Sequence, residues 1–162
     1  MTTRTAATAW ESLFRTQVTL MQRFEAAKDF EPLSSREYDV LFNLSRMPDG
    51  AARLRDLNAR LLISQPSLSR MVDRLAGAGL VARREADDDG RGVVVVLTDA
   101  GALLQKQIGR RHVRHIAALV DAGLDDDDQA ALTRICERLR AAVSDAPTTT
   151  PTTRTRTELR SS

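Results

Sequence analysis

Leu61-Leu62-Ile63-Ser64-Gln65-Pro66-Ser67-Leu68-Ser69-Arg70-Met71-Val72-Asp73-Arg74-Leu75-Ala76-Gly77-Ala78-Gly79-Leu80-Val81-Ala82-Arg83 is the stretch that decides the fold. Ser64 reads as a helix N-cap, and Pro66 falls in the first turn, where its missing N–H costs nothing. At about 100° per residue, Leu68, Met71, Val72 and Leu75 share one third of the circumference. Pro66, Ser67, Ser69, Arg70, Asp73 and Arg74 occupy the rest. Gly79 suits a left-handed terminator just past a helix ending near Ala78. The apolar third is what packing on a short preceding helix requires, and the hydroxyls and guanidinium groups opposite suit base edges and phosphates. An ordinary solvated amphipathic helix would show the same pattern.

The flanks narrow this choice. Upstream, Leu54, Leu57 and Leu61 mark one side of a short helix, separated from the next by a break at Leu62-Ile63. Downstream the period changes: Leu80–Glu85 and Gly92–Leu97 are β-prone runs around the turn signal Asp87-Asp88-Asp89-Gly90. This predicts a two-stranded hairpin, which must lean on the helices because an isolated one is marginal in water. Arg91 sits at its tip, where an arginine on a projecting arm suits a narrow minor groove. Asp88 or Asp89 would then orient it through a carboxylate–guanidinium pair. Residues 51–84 hold seven arginines against Asp56 and Asp73, a net +5, while residues 121–129 sum to −5.

Further out, residues 8–28 read as a long helix of about 30 Å, with Trp10, Leu13, Phe14, Val18, Met21 and Phe24 near helical spacing. Ser34-Ser35-Arg36-Glu37 is a capping box, with Leu33 and Tyr38 placed for a hydrophobic staple. That helix should stop near Met47, before Pro48-Asp49-Gly50. Thr98-Asp99 opens another long helix with Leu103, Leu104, Ile108, Ile116, Leu119 and Val120 as its stripe. Leu124–Asp128 opens the last, carrying Leu132, Ile135, Leu139, Ala142 and Val143 on one face. Its aspartates suit the positive end of the helix dipole better than a metal, since consecutive carboxylates on a helix diverge.

Composition sets outer bounds. The chain has 162 residues, 42% hydrophobic and 28% charged, which excludes wholesale disorder. Basic and acidic residues nearly balance, 24 against 22, so charge placement rather than net charge carries any polyanion argument. Lys28 and Lys106 are the only lysines; arginine, the bidentate partner of phosphate and guanine, supplies the rest of the basic charge. No apolar run reaches the length of a membrane span, and the N-terminus lacks a signal-type apolar core, so a cytoplasmic protein is expected. The single Cys136 excludes an intramolecular disulfide and reads as a small core or interface residue. His112 and His115, three apart, lack the further ligands of a metal site and read as solvated or interface histidines; no metal, cofactor or catalytic residue is expected. No phosphate loop or nucleophile with a base is legible, so the chain is not read as an enzyme.

With these elements in place, the Leu61–Arg83 stretch resembles the recognition helix and first wing strand of the MarR (multiple antibiotic resistance regulator) family. Asp87–Gly92 is similar to that family's wing tip, and Leu97-Thr98-Asp99-Ala100-Gly101 to the start of its fifth helix. The resemblance implies a mainly α fold with a small β wing: a winged helix-turn-helix over 34–98 and a helical dimerisation region over 8–30 and 99–144. Residues 145–162, rich in Thr, Pro and Arg, read as a disordered tail. It further implies a homodimer, most simply a repressor, on pseudo-palindromic double-stranded DNA. Ser64, Gln65, Pro66, Ser67, Ser69, Arg70 and Arg74 would enter the major groove and Arg91 the minor groove, with Asp88, Asp89 and Arg84 as wing support. Trp10 and Asp39 resemble positions that a urate-responsive branch uses to bind its small-molecule effector. The competing reading is a winged-helix module that binds protein instead of DNA.

Overall fold

The computed structural model describes residues 3–61, 63–85 and 92–144. In chain order the elements are α1 (Thr3–Ala26), α2 (Ser35–Ser45), β1 (Ala51–Arg53), α3 (Leu54–Arg60), α4 (Gln65–Gly77), β2 (Val81–Glu85), β3 (Val93–Leu97), α5 (Asp99–Asp121) and α6 (Asp126–Ser144). None of these helices is long and apolar enough to cross a membrane.

The capping box forms as the sequence predicts. The Glu37 N–H donates to Ser34 Oγ at 3.3 Å, and Glu37 Oε2 accepts from the Ser34 N–H at 3.0 Å. After α2, a single turn at Pro48–Gly50 carries Asp49 and Gly50 at φ of 55° and 62° and reverses the chain into β1. Here the structure adds a third strand to the two-stranded hairpin. The sheet has three antiparallel strands in the order β1-β3-β2, with Ala52 opposite Val95 and Arg83 opposite Val95 on the other side. The short Ala-Ala-Arg strand carries no β-branched residue, and its pairing is with a strand some forty residues later, so nothing local announces it.

Two hydrophobic clusters hold the unit that ends at Leu119. The first is aliphatic: Val40, Leu41 and Leu44 of α2, Leu57 of α3, Leu68, Met71, Val72 and Leu75 of α4, and Leu80, Val81 and Val95 from the sheet and its approach. Each fully buried side chain of this size contributes roughly 1.5–3 kcal/mol relative to exposure. The second is aromatic: Phe24, Phe30, Tyr38 and Ile108, with Leu20, Met21, Leu104, Ile116 and Leu119 around them. Leu33, the residue before the α2 cap, packs on both clusters, which gives the predicted staple to Tyr38 its place.

The start of α5 is seated by two small-scale features. Thr98 Oγ1 donates to the Gly79 carbonyl at 2.7 Å and accepts from the Gly101 N–H at 3.0 Å. Gly101 lies so close to Leu80 that a Cβ there would stand 2.0 Å from the Leu80 carbonyl oxygen. Thus the end of α4, the entry to β2 and the first turn of α5 are tied together. Gly79, at φ 72°, makes the left-handed turn that ends α4.

Not every predicted stripe is buried. On α1, Trp10, Leu13 and Phe14 are exposed while Leu20, Met21 and Phe24 pack inward. On α5, Leu103 is exposed although helical spacing places it on the apolar stripe. The unit beginning at Val120 consists of the end of α5, a turn and α6. Asp125 caps α6, its Oδ1 accepting from the Asp128 N–H at 2.8 Å. Leu132, Ile135, Leu139 and Val143 are all exposed on α6.

Candidate nucleic-acid interface

α4 is built as a helix with two functions along its length. Leu68, Met71, Val72 and Leu75 are buried, as the spacing requires. Ser64, Gln65, Pro66 and Arg70 are exposed, and Ser67 and Ser69 are half-buried beside them. Ser64 occupies the N-cap position with extended backbone, yet its hydroxyl hydrogen-bonds the Ser67 hydroxyl at 2.8 Å instead of capping a backbone N–H. The first-turn donors of α4 therefore remain open to an external acceptor.

The second half of α4 faces a different set of partners. Asp73 is paired with Arg83 of β2. Arg74 donates through Nε to Glu37 Oε1 of α2 at 3.2 Å, and its Nη1 is 3.5 Å from the Arg70 carbonyl oxygen. Burial pushes the Glu37 carboxyl up, but the Ser34 backbone and hydroxyl bonds and the Arg74 guanidinium outweigh it and hold the carboxyl below its ordinary value. Of the two arginines read as groove contacts, Arg70 is thus directed outward and Arg74 is engaged within the protein. Arg84 follows Arg83 on exposed β2, opposite Val94. Asp88, Asp89 and Arg91 lie outside the described residues.

A cavity of about 460 Å³ lies between α1, α2 and the segment leading into α4, lined by Gln17, Met21, Glu25, Ser35, Arg36, Asp39, Leu61 and Ile63. Desolvation at this wall raises the Asp39 carboxyl above its ordinary value, with His112 opposing the shift. Leu61 and Ile63 belong to the helix-turn-helix turn itself, so the cavity borders the segment that aims α4. Trp10 is not brought to it: its ring is 64% exposed and stacks on Phe14 at a centroid distance of 6.1 Å.

His112 and His115 are not solvated. Both turn Nδ1 toward the buried Asp29 carboxylate, at 2.9 Å each, and both rings stand edge-on to Phe24. The neighbouring Arg111 donates to the carbonyls of Asp29 and Glu31 at 2.9 and 2.7 Å, so α5 grips the α1–α2 loop with three side chains. Among the described residues no group of three His, Cys, Asp or Glu side chains is arranged to hold a metal ion. The spacing of the two histidines places them on one face of α5; their shared partner, more than eighty residues away, was not legible.

The MarR family model matches residues 31–92, which span α2 through the strand-to-strand segment. The crystal structure of AbsC, a MarR family transcriptional regulator from Streptomyces coelicolor, superposes with a TM-score of 0.74 at 26% identity, covering 90% of this chain and 99% of that one. The chain resembles the MarR family over residues 31–92 and shares its fold. The MarR-type winged fold is equally matched by Sco3205 of the same organism, solved in complex with DNA: TM-score 0.75, 22% identity, 90% of this chain and 92% of that one. The regulator PecS of Dickeya dadantii (strain 3937) is 35% identical over 85 residues, 51% of each chain. The chain thus spans about half the length of that curated relative.

Proposed function

We propose that the chain is a homodimeric transcriptional regulator, acting as a repressor, that binds pseudo-palindromic duplex DNA with α4 in the major groove and Arg91 in the minor groove. The observation that carries this reading is the outward N-terminal half of α4. Exposed Ser64, Gln65, Pro66 and Arg70 stand over a fully apolar inner face, within a segment of net charge +5. The MarR family match over residues 31–92 and the DNA-bound state of Sco3205 support it.

Pairing is supported by apolar side chains that a single copy leaves in water: Trp10, Leu13 and Phe14 on α1, and separately Leu132, Ile135, Leu139 and Val143 on α6. In this reading 34–98 forms the DNA-contacting region, and 8–30 with 99–144 the pairing region. A second copy related by a two-fold axis would set two α4 helices on successive major-groove faces. Release by a small ligand is supported by the cavity, whose lining includes Leu61 and Ile63 just ahead of α4. A molecule that prefers one setting of this turn would shift the population away from the DNA-competent state.

The test is selection from a randomised duplex library by the purified chain, with sedimentation of the free protein. The reading expects a two-fold-symmetric consensus, a dimer, and affinity that falls steeply with salt. Gel shifts on the chain's own upstream DNA, repeated with urate, salicylate and peroxide, sort the effector classes. A strict monomer, or no duplex binding at low ionic strength, would favour the protein-binding module.

A further inference from the structure

Glu37 is one carboxylate with two tasks. Its Oε2 accepts from the Ser34 N–H and hydroxyl, at 3.0 and 2.9 Å, and so closes the N-terminus of α2. Its Oε1 accepts from Arg74 Nε on α4. The carboxylate is largely shielded, its side chain 17% exposed against 59% for Arg74. Because the capping box already fixes Glu37, Arg74 meets a rigid acceptor and not a mobile surface carboxylate. On the other flank of α4, Asp73 is paired with Arg83. Asp73 and Arg74 are adjacent, so they project about 100° apart around the helix. Two ion pairs to two different elements, α2 and β2, therefore restrain rotation of α4 about its own axis, which packing of Leu68, Val72 and Leu75 alone would resist less sharply.

From this geometry we infer that Arg74 sets DNA affinity as a positioning residue, by holding the rotation of α4 through Glu37, and not as a phosphate contact. The inference rests on the DNA-binding reading above. It assigns Glu37, a residue on a different helix from the groove-facing side chains, a part in DNA recognition. The two accounts of Arg74 give opposite signs for a change at Glu37. If Arg74 grips phosphate, removing the nearby carboxylate frees the guanidinium and removes a repelling charge, so binding strengthens. If Arg74 holds α4 through Glu37, the same change weakens binding.

The deciding variant is Glu37→Gln, since Gln at this position preserves the capping box and the fold. Glu37→Gln, Arg74→Gln and the double variant are measured on a duplex selected by the unsubstituted protein, well below each variant's melting temperature, so that lost stability alone moves nothing. The expected result is about five-fold weaker binding for each single variant, no further loss in the double, and an unchanged slope of log affinity against log salt. Unchanged or tighter binding by Glu37→Gln, or a slope lowered by about one phosphate in Arg74→Gln, would overturn the positioning role while leaving the DNA-binding reading standing. Failure of the unsubstituted chain to select any duplex would overturn both.

Discussion

His115 stands 2.9 Å and 3.0 Å from the two carboxylate oxygens of Asp29 through a single Nδ1, and His112 shares the same carboxylate. An ionised carboxylate only accepts, so both imidazoles carry their Nδ1 proton when they bond to it. Burial pushes the Asp29 carboxyl up, but the bonds and charges of His112 and His115 outweigh it, and the net shift is below the ordinary value. A depressed folded pKa means that the ionised group stabilises the fold above the unfolded value and loses that contribution as pH falls through the folded one. Asp29→Asn should therefore lower stability at pH 7 by about 2 kcal/mol, the order expected when a buried charge-assisted network loses its acceptor. Urea unfolding at a series of pH values checks this. The gap between the two proteins should narrow below about pH 3.8, and a gap that stays constant would reject the assignment.

Gly101 against Leu80 gives a second outcome. A Cβ at 101 would stand 2.0 Å from a backbone oxygen and 2.9 Å from Leu97 Cδ1, and a backbone atom cannot swing aside as a side-chain tip can. Ala is otherwise the better helix former by about 1 kcal/mol. Gly101→Ala should nonetheless destabilise by about 2 kcal/mol, because α5 must lift off the end of α4. Thermal unfolding decides the sign, and a stabilised variant would show that the junction yields easily.

This junction shows what the sequence could and could not reveal. Ser34-Ser35-Arg36-Glu37, the apolar third of α4 and the Gly79 terminator are local signals, and each stands where the chain alone placed it. The Glu37–Arg74 and Asp73–Arg83 pairs are not local: they join residues 37 and 10 positions apart across different elements. Arg74 looked outward by helical angle because its angle fixes where its Cβ points and not where a long flexible guanidinium finds its acceptor. Strand β1 escaped for a related reason, since three weakly β-prone residues become a strand only when β3 is already there to pair. Asp39 resembles an effector-binding position and lines a cavity, but Trp10 is not beside it.

Asp39 has the opposite electrostatic sense to Asp29. Desolvation raises its carboxyl, so the ionised form is a burden on the folded state above the unfolded pKa, and the burden vanishes as pH falls below it. Asp39→Asn should raise the unfolding free energy at pH 7, by less than about 1 kcal/mol since the side chain is exposed enough for water to screen it, and with it the melting temperature. The gain should disappear near pH 3. A stabilising substitution in a cavity wall fits a site kept for binding at some expense to the fold. Loss of ligand-dependent release of DNA in the same variant would tie the cavity to the effector.

In the proposed DNA-binding reading, Arg70 and Arg91 divide the remaining recognition work, and they differ in what their loss should do. Arg70 is exposed on the outward half of α4, one turn after Pro66, with its carbonyl facing Arg74 and its guanidinium free to meet a base edge. A base-edge arginine carries discrimination of about 1–3 kcal/mol at one position, so Arg70→Ala should weaken binding about ten-fold or more and relax the consensus there. Arg91, read from the sequence as the tip of the wing, answers to groove width and potential and not to a hydrogen-bond code. Arg91→Ala should weaken all duplexes alike while leaving the selected consensus intact, apart from any preference for A·T at the flanks. Parallel selections with the three proteins separate the roles. A consensus unchanged in Arg70→Ala but altered at its centre in Arg91→Ala would reverse the assignment, placing base readout in the wing and only backbone contact on α4.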